Sequence, residues 1–211
     1  MWSPHSIERL RALVTALAIL ALAGCASAPK PAAVEADAET TEAREVPPEA
    51  MTLYEQAVAS MAAGDLIDAE LRFQEFLLQY PDFPGAHVNL AIIFTERGDL
   101  VAAENALTDA LMIDPEHAQA LNQLGMTLRR QGKFEAAESA YSKAIEASPD
   151  YALAHYNLGV LNDLYLRRYD QALVHYERYQ ALAGEDEQVS RWIADLKRRV
   201  DANQRTANVT E

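Results

Sequence analysis

Residues 118–149 read AQALNQLGMTLRRQGKFEAAESAYSKAIEASP, and this stretch decides the fold. Before Gln131-Gly132, the residues Leu121, Leu124, Gly125 and Leu128 recur at i, i+3, i+4 and i+7, which places them on one face of a helix. A second apolar helical face follows Gly132, and Pro149 ends it. The stretch therefore predicts a hairpin of two amphipathic helices. Such a hairpin needs neighbours, because two short helices cover only part of each other's apolar surface.

The same pattern recurs every 34 residues along the chain. Several independent columns keep this period, which chance would not produce. The columns are Gly64, Gly98 and Gly132 at the turns; Pro81, Pro115 and Pro149 at the ends; Ala57, Ala91, Gly125 and Gly159 in the first helices; and Ala69, Ala103 and Ala137 in the second helices. We expect the small residues to lie where paired helices cross, because a larger side chain there would push the helices apart.

This arrangement resembles the tetratricopeptide repeat (TPR) family, whose unit is a helix–turn–helix with this period. The resemblance covers residues 50–184 and implies an all-α fold, a right-handed α-solenoid of about four hairpins. The predicted repeats are 50–83, 84–117, 118–151 and 152–184.

The fourth repeat departs from the pattern. Tyr169 and Ala172 come 35 residues after Phe134 and Ala137, and residues 166–168 (Leu-Arg-Arg) stand where the turn glycine is expected. We expect the inserted residue to lengthen the first helix or to widen the turn. Gly184 then stands in place of the final proline and is expected to end the last hairpin.

Residues 185–203 predict a further helix with two distinct faces. We interpret it as a capping helix, since an array of helical repeats needs a terminal helix with a polar outer face. The alternative is that its basic face binds anionic lipid or an acidic partner. The apolar face holds Trp192, Ile193, Leu196 and Val200, and the basic face holds Arg191, Lys197, Arg198 and Arg199. Residues 204–211 are expected to form a frayed tail.

Residues 1–24 have the features of an export signal. Arg9 and Arg11 precede an uncharged run rich in Ala and Leu, which is too short to span a membrane comfortably. The run ends in Leu-Ala-Gly-Cys at residues 22–25, which resembles the lipobox of bacterial lipoproteins. That resemblance implies cleavage before Cys25, a lipid anchor on Cys25, and, with Ala26 and Ser27 following, an outer membrane lipoprotein facing the periplasm. The alternatives are an ordinary secretory signal and a cytosolic protein with an apolar N-terminal helix.

Residues 25–49 are predicted to be a disordered tether. They hold prolines, alanines and acidic residues but almost no large apolar side chain, so they bury too little surface to offset the entropy of ordering. The whole chain has 211 residues and a formal charge of −14, which opposes binding to nucleic acid. Its one cysteine excludes an internal disulfide.

Catalytic and metal-binding motifs are missing from the sequence. It contains no HExxH, Walker, GxSxG or GxGxxG pattern. We therefore predict no catalytic residue, no metal site and no cofactor, and we do not expect an enzyme. His87 and His155 fall where the TPR family has a large packing residue, and we interpret them as packing histidines.

A protein-binding groove is the stronger candidate site. The TPR resemblance implies that stacked first helices line a concave face, where amides bond to a peptide backbone and apolar side chains fill pockets. The alternative is an ordinary polar helix surface. The basic carboxylate clamp of chaperone-binding TPR proteins is not matched, because only Arg129 and Arg130 are basic there. The predicted groove residues are Tyr54, Val58, Val88, Asn89, Ile92, Asn122, Met126, Arg129, Tyr156, Asn157, Val160 and Asp163.

These features together predict a membrane-anchored periplasmic scaffold that binds another envelope protein or a peptide segment of it. Lipoproteins of this build resemble assembly factors of type IV pili and secretins, and adaptors of cell-wall enzymes. Two alternatives stay open. One is a regulator or recruiter of peptidoglycan enzymes, and the other is self-association through the concave or end faces.

Overall fold

A computed structural model of the chain describes residues 47–209, with side chains over residues 47–202. This range contains α-helices and one π-helix but no strand. No helix within it combines the length and the apolar run that crossing a bilayer requires. The predicted signal peptide (1–24), Cys25 and the tether up to residue 46 lie outside the described residues. The helices are α1 (Pro48–Ala62), α2 (Leu66–Gln79), α3 (Pro84–Glu96), α4 (Leu100–Ile113), α5 (Ala118–Arg130), α6 (Phe134–Ala147), α7 (Ala152–Val160), the π-helix (Leu161–Leu166), α8 (Tyr169–Ala183) and α9 (Glu187–Val209).

The helices pair in chain order as four hairpins, α1–α2, α3–α4, α5–α6 and α7–α8. The first helix of each hairpin also contacts the first helix of the next one. The predicted all-α helical repeat fold is therefore confirmed. Helix α1 begins at Pro48, two residues before the predicted start of the first repeat, since proline is favoured in the first turn of a helix.

The first three hairpins turn at glycines in the left-handed conformation. These are Gly64, Gly98 and Gly132, with φ of 81°, 83° and 78°. Aspartate follows the first two glycines and begins the next helix. The carboxylates of Asp65 and Asp99 accept hydrogen bonds of 3.0 Å from the backbone N–H of Asp68 and Ala102. The turn and the helix start are thus encoded by adjacent residues.

The small residues of the repeat lie at the helix crossings, as the sequence predicted. All of them are buried, and the rings of Tyr141 and Tyr176 lie directly against Gly125 and Gly159. The crossing residues are Ala57, Ala91, Gly125 and Gly159 in the first helices and Ala69, Ala103, Ala137 and Ala172 in the second helices. Close helix contact along the whole array follows from these positions.

The inserted residue of the fourth repeat is accommodated in a π-helix. Helix α7 ends at Val160 and the chain continues through Leu161–Leu166 with the wider π turn, which takes up one extra residue. Arg167 then adopts the left-handed conformation, with φ of 56°, that glycine has in the other turns. Ala172 regains the buried crossing position despite the insertion. Gly184 ends α8 with φ of 94°.

Helix α9 packs its apolar face on the fourth hairpin. Val189, Ile193 and Leu196 are buried in one cluster with Tyr176 of α8. The helix runs from Glu187 to Val209, beyond the predicted end at residue 203. Residues 204–209, predicted as a frayed tail, contain neither proline nor glycine and continue this helix.

The basic side chains of α9 are paired within the chain. Each of the four has a carboxylate at 2.6 to 3.5 Å. Such exposed pairs add little stability, but they neutralise the charge that an anionic surface would meet. The pairing therefore counts against the alternative that this face binds anionic lipid. The pairs are Arg191–Glu187, Lys197–Glu177, Arg198–Asp195 and Arg199–Asp195.

Candidate functional site

The twelve predicted groove residues lie on the first helices of the four hairpins and on the π-helix. We call this set the first-helix face. Its members differ in accessibility, because neighbouring first helices cover part of the face. Val58 is exposed; Val88, Asn122, Asn157 and Val160 are buried; and Tyr54, Asn89, Ile92, Met126, Arg129, Tyr156 and Asp163 are half-buried. The four buried residues are packing residues in the described structure, and their role in a binding groove stays a prediction.

Asn122 and Asn157 bond to each other between repeats. The Asn157 amide nitrogen donates to Asn122 Oδ1 at 2.9 Å, and both side chains are buried. Tyr54 and Asn89 repeat this arrangement at the same separation of 35 residues, with the Asn89 amide donating to the Tyr54 hydroxyl at 2.9 Å. The prediction that these amides bind a peptide backbone is therefore not supported for Asn122 and Asn157. They connect neighbouring repeats instead, because a buried amide needs an internal partner.

Tyr54 belongs to an aromatic cluster at the N-terminal end of the array. Its ring centroid lies 5.5, 5.4 and 5.1 Å from the centroids of Phe73, Phe76 and Phe83. Burial raises the pKa of the Tyr54 hydroxyl, and the bond from Asn89 opposes this. Tyr54 thus acts mainly in packing, with only one edge at the surface.

Arg129 is the accessible cation of the first-helix face. Its guanidinium carbon lies 5.6 Å from the ring centroid of Tyr165, within range of a cation–π interaction. No ion pair involving Arg129 occurs among residues 47–202, and its buried Nε lacks a hydrogen-bond partner in the same range. Burial raises the pKa of the Tyr156 hydroxyl, and the positive charge of Arg129 acts in the opposite direction. Arg129 therefore retains the capacity to bind a carboxylate from a partner.

Tyr165 and Trp192 join the site although neither was predicted in it. Tyr165 stacks on Phe134 with ring centroids 4.8 Å apart and keeps 42% of its surface exposed. Trp192 of α9 lies 6.2 Å from the Tyr156 ring. The insertion beside Tyr165 was the available sequence signal, because it marks the one repeat whose first helix deviates.

His155 and His175 form a contact inside the fourth hairpin. Their Nδ1 atoms lie 3.2 Å apart, and His155 Nε2 lies 3.1 Å from the carbonyl oxygen of Pro149. His155 is buried, as its interpretation as a packing residue requires. No cluster of three or more metal-ligating side chains occurs in the described part of the chain.

Comparison with known families identifies the same type of repeat. A family model described as TPR repeat matches residues 125–162, and one described as tetratricopeptide repeat matches residues 60–125. No curated protein matches the chain by sequence.

Solved structures resemble the array over most of its length. The Pseudomonas aeruginosa protein pilF is 22% identical with a TM-score of 0.66, covering 72% of this chain and 69% of that one. TTC0263, a thermophilic TPR protein of Thermus thermophilus, is 22% identical with a TM-score of 0.61, covering 72% and 83%. MamA from Desulfovibrio magneticus is 18% identical with a TM-score of 0.62, covering 77% and 91%. At these identities the likeness shows the helical repeat fold.

Proposed function

Because the chain is a tetratricopeptide repeat protein, we propose that it is a membrane-anchored periplasmic adaptor that binds another envelope protein through its first-helix face. Tetratricopeptide repeats form a protein-interaction scaffold, and stacked repeats offer an extended surface to a partner. The adaptor serves assembly of an envelope machine of the pilus or secretin type. It acts by holding proteins together, without catalysis of its own.

Arg129 is the observation that supports binding at this face. The Arg129 guanidinium is half-buried and has no carboxylate partner in the described residues, although the chain has a formal charge of −14. Met126 and Ile92 lie on the same face and are partly accessible. A partner segment with one acidic residue among apolar ones would complement this combination, since charge-assisted bonds to arginine fix register and orientation.

The membrane anchor of the proposal rests on Cys25 and the segment that follows it. A diacylated cysteine attaches a protein stably, because two acyl chains bind a bilayer where one would dissociate. The 22 residues from 26 to 47, which precede α1, would give a flexible tether a reach of roughly 25 Å. The repeats would then meet their partner close to the membrane surface.

Partner capture with a charge reversal tests the binding face. We expect one envelope protein to copurify with the detergent-solubilised wild-type chain and to be lost from Arg129→Glu. The matched control is Arg191→Glu, which reverses an exposed arginine on α9 and should retain the partner. Equal capture by both variants would contradict the proposed face.

Membrane fractionation tests the anchor separately. Cys25→Ser removes the thiol that a thioether-linked lipid needs, so the variant should leave the membrane fraction. A Cys25→Ser protein that stays with the outer membrane would refute the lipid anchor while leaving the binding face intact.

A further inference from the structure

A small cavity lies between the π-helix and α9. Its volume is about 260 Å³, and its walls include Asp163, Tyr176, Trp192, Asp195 and Arg199. Sites for whole drug-sized ligands occupy about 300–1,000 Å³. This cavity is therefore suited to a single side chain. The π-helix contributes Asp163 and Leu164 to its walls, and π-helical turns are frequent at functional sites.

Two aromatic rings form one side of the cavity. The centroids of Tyr176 and Trp192 lie 5.5 Å apart, with their planes inclined by 43°. Aromatic faces carry negative electrostatic potential and attract cations, tryptophan most strongly. Leu164 and Leu196 also line the cavity and offer apolar contact. An aliphatic stem ending in a positive charge matches this lining.

Asp163 gives the cavity its unpaired charge. No hydrogen bond or ion pair to its carboxylate occurs among residues 47–202, and burial raises its pKa. The charge of Arg199 acts on Asp163 and opposes this rise in pKa, but the Arg199 guanidinium is bound to Asp195 at 2.6 Å and lies 5.6 Å from the Tyr169 ring. Asp195 also holds Arg198 at 2.9 Å. Both arginines are thus engaged, and Asp163 is left to interact with an incoming cation.

We propose that this cavity binds a lysine side chain of the partner segment, with the ammonium group on Asp163 and the stem against Trp192 and Leu196. Lysine suits a small cavity because its charge is compact, whereas arginine carries a broad planar fork. The identity of the partner rests on the proposed function, but the cavity chemistry does not.

The position of Asp163 sets the pattern of the partner segment. Asp163 and Arg129 stand 34 residues apart, which is the repeat period, with Arg129 in α5 and Asp163 in the π-helix. Contacting helices lie about 8–10 Å apart, and an extended chain advances about 3.3 Å per residue. A segment crossing the first-helix face therefore places an acidic residue on Arg129 and a lysine roughly three residues away on Asp163.

Trp192 provides the reporter for a direct test. The chain has two tryptophans, so Trp2→Phe in the full-length protein leaves Trp192 as the only indole. The probes are N-acetyl-lysine amide and its neutral counterpart N-acetyl-norleucine amide, titrated while tryptophan fluorescence is recorded. We expect a saturable change with the lysine probe and at least tenfold weaker binding of the norleucine probe.

Three variants distinguish the cavity from its surroundings. Asp163→Asn should weaken the lysine probe at least tenfold with an unchanged thermal melt. Leu164→Arg, which places a cation at the exposed edge of the cavity, should abolish binding, whereas the control Leu78→Arg on exposed α2 should not. The probe titration involves no partner protein, so a failure of the proposed partner face stays separable. Three results would overturn the proposal. The wild type would show no saturable response, or it would bind both probes equally, or Asp163→Asn would bind the lysine probe as well as the wild type does.

Discussion

The ring of Tyr141 lies so close to Gly125 that a Cβ atom at residue 125 would stand 2.5 Å from ring carbon Cε1. The corresponding residues of the second repeat are Ala91 and Leu107, both buried. In the second repeat, the second helix has leucine where the third repeat has tyrosine. Its first helix has alanine where the third repeat has glycine. The first repeat combines Ala57 with Phe73, both buried, so an aromatic ring alone does not require a glycine. In the third repeat the close approach of the Tyr141 ring does require it.

This relationship predicts a compensating pair of substitutions. Gly125→Ala should lower the free energy of unfolding by about 1–3 kcal/mol, because the ring has to move. In the Tyr141→Leu background, which reproduces the second repeat, Gly125→Ala should lower the free energy of unfolding much less. Urea denaturation of the four proteins gives the coupling energy, expected to favour the double variant by about 1 kcal/mol or more. Strictly additive effects would show that Tyr141 does not limit residue 125.

Arg167 predicts a stabilising substitution. Its φ of 56° is left-handed, a conformation that costs a non-glycine residue roughly 1–2 kcal/mol. Arg167→Gly should therefore raise the thermal midpoint, although glycine's greater freedom in the unfolded chain offsets part of the gain. The matched control is Gly132→Arg, where φ is 78° and the midpoint should fall. A lower midpoint for Arg167→Gly would mean that the arginine side chain stabilises the turn by other contacts.

The histidine pair predicts a pH dependence of stability. Because the Pro149 carbonyl oxygen can only accept a hydrogen bond, His155 Nε2 must carry a hydrogen. In neutral His155, Nδ1 is then the acceptor, and His175 Nδ1 donates a hydrogen bond to it. This tautomer follows from the hydrogen-bond geometry. Burial, and secondarily the charge of His155, lowers the pKa of His175 from 6.5 to about 4.

The sign of the effect follows from proton binding. Between pH 6.5 and about 4 the unfolded chain takes up a proton at residue 175 that the folded chain excludes, so stability falls as the pH falls through this window. Urea midpoints at pH 7 and pH 5 should therefore differ more for the wild type than for His175→Gln. Comparing the two proteins cancels the contribution of the carboxylates. An identical pH dependence would show that His175 is protonated equally in both states.

The repeat architecture is predictable from the sequence because packing residues recur at fixed spacing. Ala103 and Leu107 occupy packing positions present in all four repeats, and Gly98 occupies a turn position present in three, so the hairpins and their crossings follow directly. The form of the insertion was less predictable. One extra residue beside Arg167 is compatible with a longer helix or a wider turn, and only the backbone shows that it becomes a π-helix.

The accessible part of the site was harder to predict for a different physical reason. Whether a residue on a first helix faces solvent depends on the rotation between neighbouring repeats, which a single unit does not encode. Asn122 and Asn157 lie on the predicted face yet meet each other across the boundary between repeats. Trp192 reaches the site from outside the repeats, so no repeat column contains it.

Photo-crosslinking in cells tests the central claim, that the first-helix face binds an envelope protein. A photoreactive amino acid at Met126 lies beside Arg129 on the partly accessible face, whereas one at Ser139 lies on exposed α6 as a control. We predict a discrete adduct of the Met126 protein with one envelope protein, absent from the Ser139 protein and lost when Arg129→Glu is added. Adducts of equal yield from both positions, or only adducts of the chain with itself at Met126, would contradict the account.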